Sequence, residues 1–181
     1  DAKRQALLRR GVFAPATYGR IRFHHRSTQE YLAARWLDRL IKDGCPPHVV
    51  DELIFVERYG VRTVPPSLRA CVAWLCLWRP HIMKEVLDRE PLTLLQGGDP
   101  GSVSLRDKER LLLRFADLNA QGSISDSSLD LRDLRLFADR ELGAAIRKAW
   151  RRNDREDFRF TMLRLMRDGP IDTALEIVRP I

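Results

Sequence analysis

Along most of the chain, apolar residues recur every three or four positions, the spacing of helices that bury one face. Leu32, Trp36 and Leu40 fall on one line with Leu37 and Ile41 beside it, which predicts a helix that Gly44, Pro46 and Pro47 end. Ser27 and Glu30 form S-x-x-E, a capping-box pattern, and so place its start at Ser27. Ser67 opens a run through Trp78 that is apolar nearly all round, as expected of a helix in the middle of a core. Pro80 suits a first helical position, and Ile82, Met83, Val86 and Leu87 follow it on one face. Ser104 is placed to cap a helix carrying Leu105, Leu112 and Ala116. Leu142, Ala145, Ile146, Ala149 and Trp150 complete another stripe. Asn153 and Glu156 read as a second capping box, ahead of Phe158, Met162, Leu165 and Met166. Gly169–Pro170 interrupts the pattern before Ile171, Ala174, Leu175 and Val178 begin one more stripe.

The period differs near the start. AKRQALLR at 2–9 reads as the tail of a helix that Gly11 stops. GVFAPA and RIRFHH then alternate through Phe13, Ile21 and Phe23 around a turn at Thr17, Tyr18 and Gly19, which predicts two short strands. Beyond residue 44 only helical periods and helix punctuation are read. Short amphipathic helices with tight breaks predict stacked helical pairs, an α-solenoid of the HEAT kind, although no strict repeat period is present. The loop at 97–104 and the polar stretch at 121–128 are the internal boundaries.

At 181 residues and 44% hydrophobic, the chain is long enough for a core, and its charge and aromatic content carry no disorder signature. Residues 1–10 are charged and lack an apolar segment, so no cleavable leader is expected, and the apolar run at 70–78 is far shorter than a membrane span. The expected location is the cytoplasm, with no membrane partner. Cys45, Cys71 and Cys76 are odd in number and never spaced as C-x-x-C; they are expected to be buried free thiols in a reducing compartment. The net charge of +7 is uneven. Its whole excess falls in residues 1–42, and a basic region of that kind meets phosphates, of nucleic acid or of a nucleotide.

Catalytic signatures are sparse. No G-x-x-x-x-G-K-[ST], H-E-x-x-H or G-x-S-x-G occurs, so the chain by itself is expected to be no enzyme and to hold no metal. GGDPGS at 97–102 reads as a loop, and DSSLDLRD at 126–133 as helix-start chemistry rather than a calcium loop. His48 and His81 stand alone. The pair His24–His25 is different, because it sits between a hairpin and a helix start, flanked by Arg22 and Arg26. Adjacent side chains on a strand leave on opposite faces, so one ring is expected inward and one outward. Beside Arg20, Arg22 and Arg26, such a ring is placed to donate to an anion, or simply to complete the corner.

GVFAPATYGRIRFHHRSTQEYLAARWL, residues 11–37, resembles the end of the winged-helix module of STAND-class NTPases with a NACHT domain. There a glycine-aromatic strand and a wing lead into a pattern close to F-x-H-x-S-F-Q-E-[YF]-L-A-A. Phe23, His25, Ser27, Gln29, Glu30, Tyr31, Leu32, Ala33 and Ala34 match it in order, and Thr28 replaces the aromatic. Residues 66–99 look like the helical segment that follows the winged helix in bacterial members. The resemblance implies a mainly α fold: the C-terminal part of a winged helix at 1–43, a helical linker at 44–122, and the start of HEAT-like repeats at 123–181. It implies an upstream nucleotide-binding domain in the same chain, and His25 against the β-phosphate of ADP, with His24 facing away. ADP or ATP with Mg would belong to the parent protein, and none of them to this fragment alone. It further implies a protein trigger at C-terminal repeats, oligomerisation of the parent, and a place in anti-phage defence. Two other readings stay open: a winged-helix nucleic-acid module with Tyr18, Arg20 and Arg22 on phosphates, and a helical protein-interaction scaffold.

Overall fold

The computed structural model describes residues 11–58, 60–124, 129 and 131–171. The expected helix tail at 2–9, the polar residues 125–128 and the stripe beyond Ile171 lie outside them. Among the described residues the chain is mainly helical, with eight α-helices and two small antiparallel hairpins.

The first hairpin pairs β1 (Phe13–Pro15) with β2 (Ile21–Phe23), Phe13 lying opposite Phe23. It leads into α1 (Arg26–Lys42), and α2 (Pro47–Ile54) follows with proline at its start. The second hairpin, β3 (Val56–Arg58) with β4 (Val61–Thr63), was not expected. Strands of three residues span barely one alternation, too little to compete with the helical periods on either side. Gly60, at φ +74°, supplies the left-handed residue of its turn. A 3₁₀ turn at Pro66–Leu68 runs into α3 (Arg69–Cys76), and α4 (Pro80–Arg89) begins on its proline as expected. After 3₁₀ turns at Pro91–Leu95 and Pro100–Ser102 come α5 (Leu105–Ala120), α6 (Leu131–Phe137), α7 (Gly143–Arg152) and α8 (Glu156–Asp168).

As its composition requires, α3 sits in the middle. Cys71, Val72, Ala73, Leu75 and Cys76 are buried, and α1 and α4 pack against it. From α4 the packing passes to α5 and then α7, while α6 lies against α8. One hydrophobic cluster runs from Ala34 to Ile171. The 97–102 loop closes onto α3, where a Cβ on Gly98 would come within 2.9 Å of the Ala73 Cβ. Among the described residues no helix is long and apolar enough to cross a membrane. The three thiols are free; burial, with the Glu30 charge adding to it, pushes Cys71 up to about 11, and burial raises Cys76 as well.

Helix starts divide the expectations. Ser104 caps α5 as its spacing predicts, accepting from the Asp107 N–H at 3.2 Å. Ser27 does not cap α1: His25 is the N-cap, with extended backbone, and its side chain makes no capping bond. Glu30 instead accepts from Arg26 Nε at 2.8 Å. Asn153 is not the N-cap of α8, which is Arg155, although its Oδ1 accepts from the Arg155 N–H at 2.9 Å. It is buried, donates to the Ala116 carbonyl oxygen at 3.0 Å and to Asn119 Oδ1 at 2.8 Å, and so ties the α7–α8 turn to α5. Asn119 in turn donates to Asp157 Oδ2 at 3.0 Å. This bond outweighs burial and, with the Phe158 amide and Arg155, holds the Asp157 carboxyl below the usual range.

The apolar line of α1 is also turned. Ala34, Leu37 and Asp38 face the core, whereas Leu32 and Trp36 stay exposed, Trp36 at 58%.

Candidate functional site

The hairpin-to-helix corner is built from short-range contacts. Ala16 N–H donates to the Arg20 carbonyl at 2.8 Å across the turn, and His24 N–H donates to the Val12 carbonyl at 2.8 Å where the ladder ends. The Phe13 and Phe23 rings lie 5.0 Å apart and hold the two strands together. Tyr18 at the tip adopts φ 59°, ψ 38°, and is 95% exposed.

The ladder ends at Phe23, so the alternation expected of His24 and His25 does not carry through. Both rings reach solvent and meet edge to face, centroids 4.6 Å apart. Arg20 and Arg22 on the hairpin and Arg26 in the first turn of α1 are exposed too. Three exposed arginines and two exposed imidazoles therefore lie along residues 20–26, with Arg26 paired to Glu30. The corner stands at a helix N-terminus that the His25 side chain does not cap, where the partial positive charge favours an anion. Arg26 and Glu30 also border a cleft of about 410 Å³ with Arg69, Gln96 and Asp133.

The opposite face of α1 is pinned. Tyr31 packs edge-on against Trp74 and Trp78, at 5.0 and 5.7 Å, and the Arg35 guanidinium lies 4.9 Å over the Trp78 ring. Asp38, 2% exposed, accepts from Arg79 Nε at 2.8 Å and from Lys42 at 2.8 Å, while Arg79 Nη2 donates to its carbonyl at 2.7 Å. Burial pushes the Asp38 carboxyl up, but the bonds and charges of Lys42 and Arg79 together outweigh it and hold the group below the usual range. These contacts fix the helix that carries the corner.

His48 is exposed, and His81 Nε2 lies 3.4 Å from Asp51 Oδ1; neither approaches the corner's chemistry through a shared cluster. Among the described residues no group of histidines, cysteines and carboxylates is arranged to hold a metal ion. A cavity of about 600 Å³ between the second hairpin, α4 and α5 had no signal in the sequence, because its residues are scattered between 60 and 124. Comparisons of the chain with protein-family models, with curated proteins and with solved structures find no match.

Proposed function

We propose that the chain is the regulatory, sensor-side part of a NACHT-type signal-transduction NTPase, one that serves in anti-phage defence. Residues 1–43 close its winged helix, and the helices beyond form a HEAT-like scaffold toward C-terminal sensor repeats. The nucleotide-binding domain lies upstream in the same parent protein. The observation that carries this reading is the corner itself: His25, at the N-cap of α1, reaches solvent among Arg20, Arg22 and Arg26 while the far side of the helix is locked by Tyr31 and Asp38. An anion held there by a neighbouring domain meets a positioned imidazole donor. The exposed Leu32–Trp36 line on the same helix offers that domain an apolar surface.

In the resting state the His25 ring would donate to the β-phosphate of ADP, and its loss would bias the protein toward exchange. A hydrogen bond to a charged group contributes about 1.5–3 kcal/mol. His25→Ala in the purified parent protein should therefore speed ADP dissociation about ten- to a hundredfold. His24→Ala, which removes only the edge contact to the His25 ring, should have a smaller effect. An unchanged ADP off-rate in a folded His25→Ala protein would leave the histidine as a corner residue and sink the reading.

A second reading rests on the hairpin tip, where Tyr18 stands fully exposed beside Arg20. A nucleic-acid contact there would be weak and steeply salt-dependent, since phosphates would supply most of the affinity. Tight binding that persists at high salt would put this reading first.

A further inference from the structure

The large cavity lies away from the histidine corner. It opens between the second hairpin, the C-terminal end of α4 with the turn after it, and the C-terminal half of α5. Its volume of about 600 Å³ is in the range of small-molecule sites. One part of the wall is apolar, from Leu92, Leu118 and Ile124. The rest carries four guanidiniums, Arg62 from β4, Arg69 from α3, Arg89 from α4 and Arg114 from α5, against the carboxylates of Asp88 and Glu90. Like charges delivered to one concavity by four separate elements are not the solvated face of a single helix.

Internal partners leave much of this donor capacity unused, since each guanidinium has five N–H groups. Arg114 gives Nε and Nη2 to the Asp88 carbonyl oxygen, at 2.9 and 2.7 Å. The Nε atoms of Arg62 and Arg89 lie 3.3 and 3.5 Å from Glu85 Oε1, near enough for an ion pair, yet that oxygen accepts no hydrogen bond. Arg69 donates to Gln96 and Glu90, but its buried Nε has no partner among the described residues. Thr93, 1% exposed on the same wall, also has a hydroxyl without a partner.

We propose that this cavity binds a small organic phosphate, its phosphate among the arginines and its apolar portion on Leu92, Leu118 and Ile124. The charges agree in sign. Four arginines against Asp88, Glu90 and the Glu85 that Arg62 and Arg89 approach leave an excess of one, and Glu90 is already held by the Val64 N–H and Arg69. A phosphate monoester carries about −1.5 to −2 at neutral pH. Guanidinium forks match its oxygens. Nothing in this assignment depends on the nucleotide-sensor reading of the hairpin corner.

Isothermal titration of the 181-residue chain with 1-naphthyl phosphate, 1-naphthol and inorganic phosphate tests it. The ester should bind with a sub-millimolar Kd, and the two partial probes at least about tenfold more weakly. The double variant Arg62→Gln, Arg89→Gln replaces side chains at the solvent edge, so it should stay folded and lose about tenfold in affinity. No heat signal up to about 10 mM ester, or equal binding of 1-naphthol, would overturn the proposal, as would equal binding of inorganic phosphate. So would ester binding untouched by the double variant. His25→Ala must leave ester affinity unchanged; a loss there would place the anion at the hairpin corner, ending this proposal while the sensor reading stands.

Discussion

The two hairpins are of equal strand length and opposite circumstance. In the second, Phe55 and Val64 flank the strands and are buried; the Arg62 guanidinium lies 5.0 Å over the Phe55 ring, and Val64 N–H donates to Glu90 at 3.1 Å. It is a part of the helical body that happens to be extended. In the first, Phe13 and Phe23 pack on one another rather than on the main cluster, and Val12, Tyr18 and Ile21 are exposed. Side chains that bury little contribute little to folding, so the identities of His24, His25 and the surrounding arginines are left free for a partner. The difference separates residues kept for stability from residues available for binding.

The comparison breaks first on stability. Phe115 is fully buried, its ring 5.2 Å from that of Phe158 between α5 and α8. Phe115→Ala should cost about 3–5 kcal/mol, enough to unfold a marginal domain. Phe23→Ala, at a half-buried position outside the main cluster, should cost at most about 1 kcal/mol. Urea unfolding of the two variants decides it. If they fall together, the first hairpin belongs to the cooperative body and the division is mistaken.

A smaller effect sharpens the boundary between corner and body. Asp38 and Arg79 join α1 to the α3–α4 turn, and Asp38→Asn should cost about 1.5–3 kcal/mol at neutral pH. The sign with pH follows from the lowered carboxyl. A depressed folded-state value contributes stability above the unfolded pKa of about 3.9 and loses it as the pH falls through the folded one. Wild type and variant should therefore differ near pH 7 and converge below about pH 4 in denaturation midpoints. A gap undiminished between pH 7 and pH 2 would show that shape, not charge, holds the turn.

Much of the helical body was legible in the chain. Pro80 with Ile82, Met83, Val86 and Leu87 gave α4, and Ser104 gave the start of α5, because a proline and a cap are local signals. Tertiary signals were not legible. Asp38 looks like any exposed helix residue until Arg79 is brought to it across 41 positions. Asn153 looks like a cap until Asn119 and the Ala116 carbonyl are seen beside it. The burial of Ala34 and the exposure of Leu32 and Trp36 depended on where Tyr31 would find Trp74. At the corner, Arg20, Arg22, His24, His25 and Arg26 are all exposed. The relative direction of the two rings was not legible, because strand alternation stops at Phe23.

The smallest effect probes the hairpin itself. Tyr18 holds a left-handed backbone with its side chain in solvent, so it carries the strain of a Cβ in that region without compensating contacts. Tyr18→Gly removes the strain, offset in part by the greater freedom of glycine in the open state. The net gain should be about 0.5–1 kcal/mol, a factor of roughly two to five in the closing equilibrium of the hairpin. If the hairpin opens independently of the body, that factor appears locally. Exchange at the Ala16 amide, which bonds the Arg20 carbonyl across the turn, should slow by the same two- to fivefold. The melting temperature of the whole chain should stay within about 1 °C, because the unit that gains is not the unit that melts. Slower exchange spread over α3 and α5 as well would mean that hairpin and body open as one, and the corner would then be held by the core rather than free to follow a ligand.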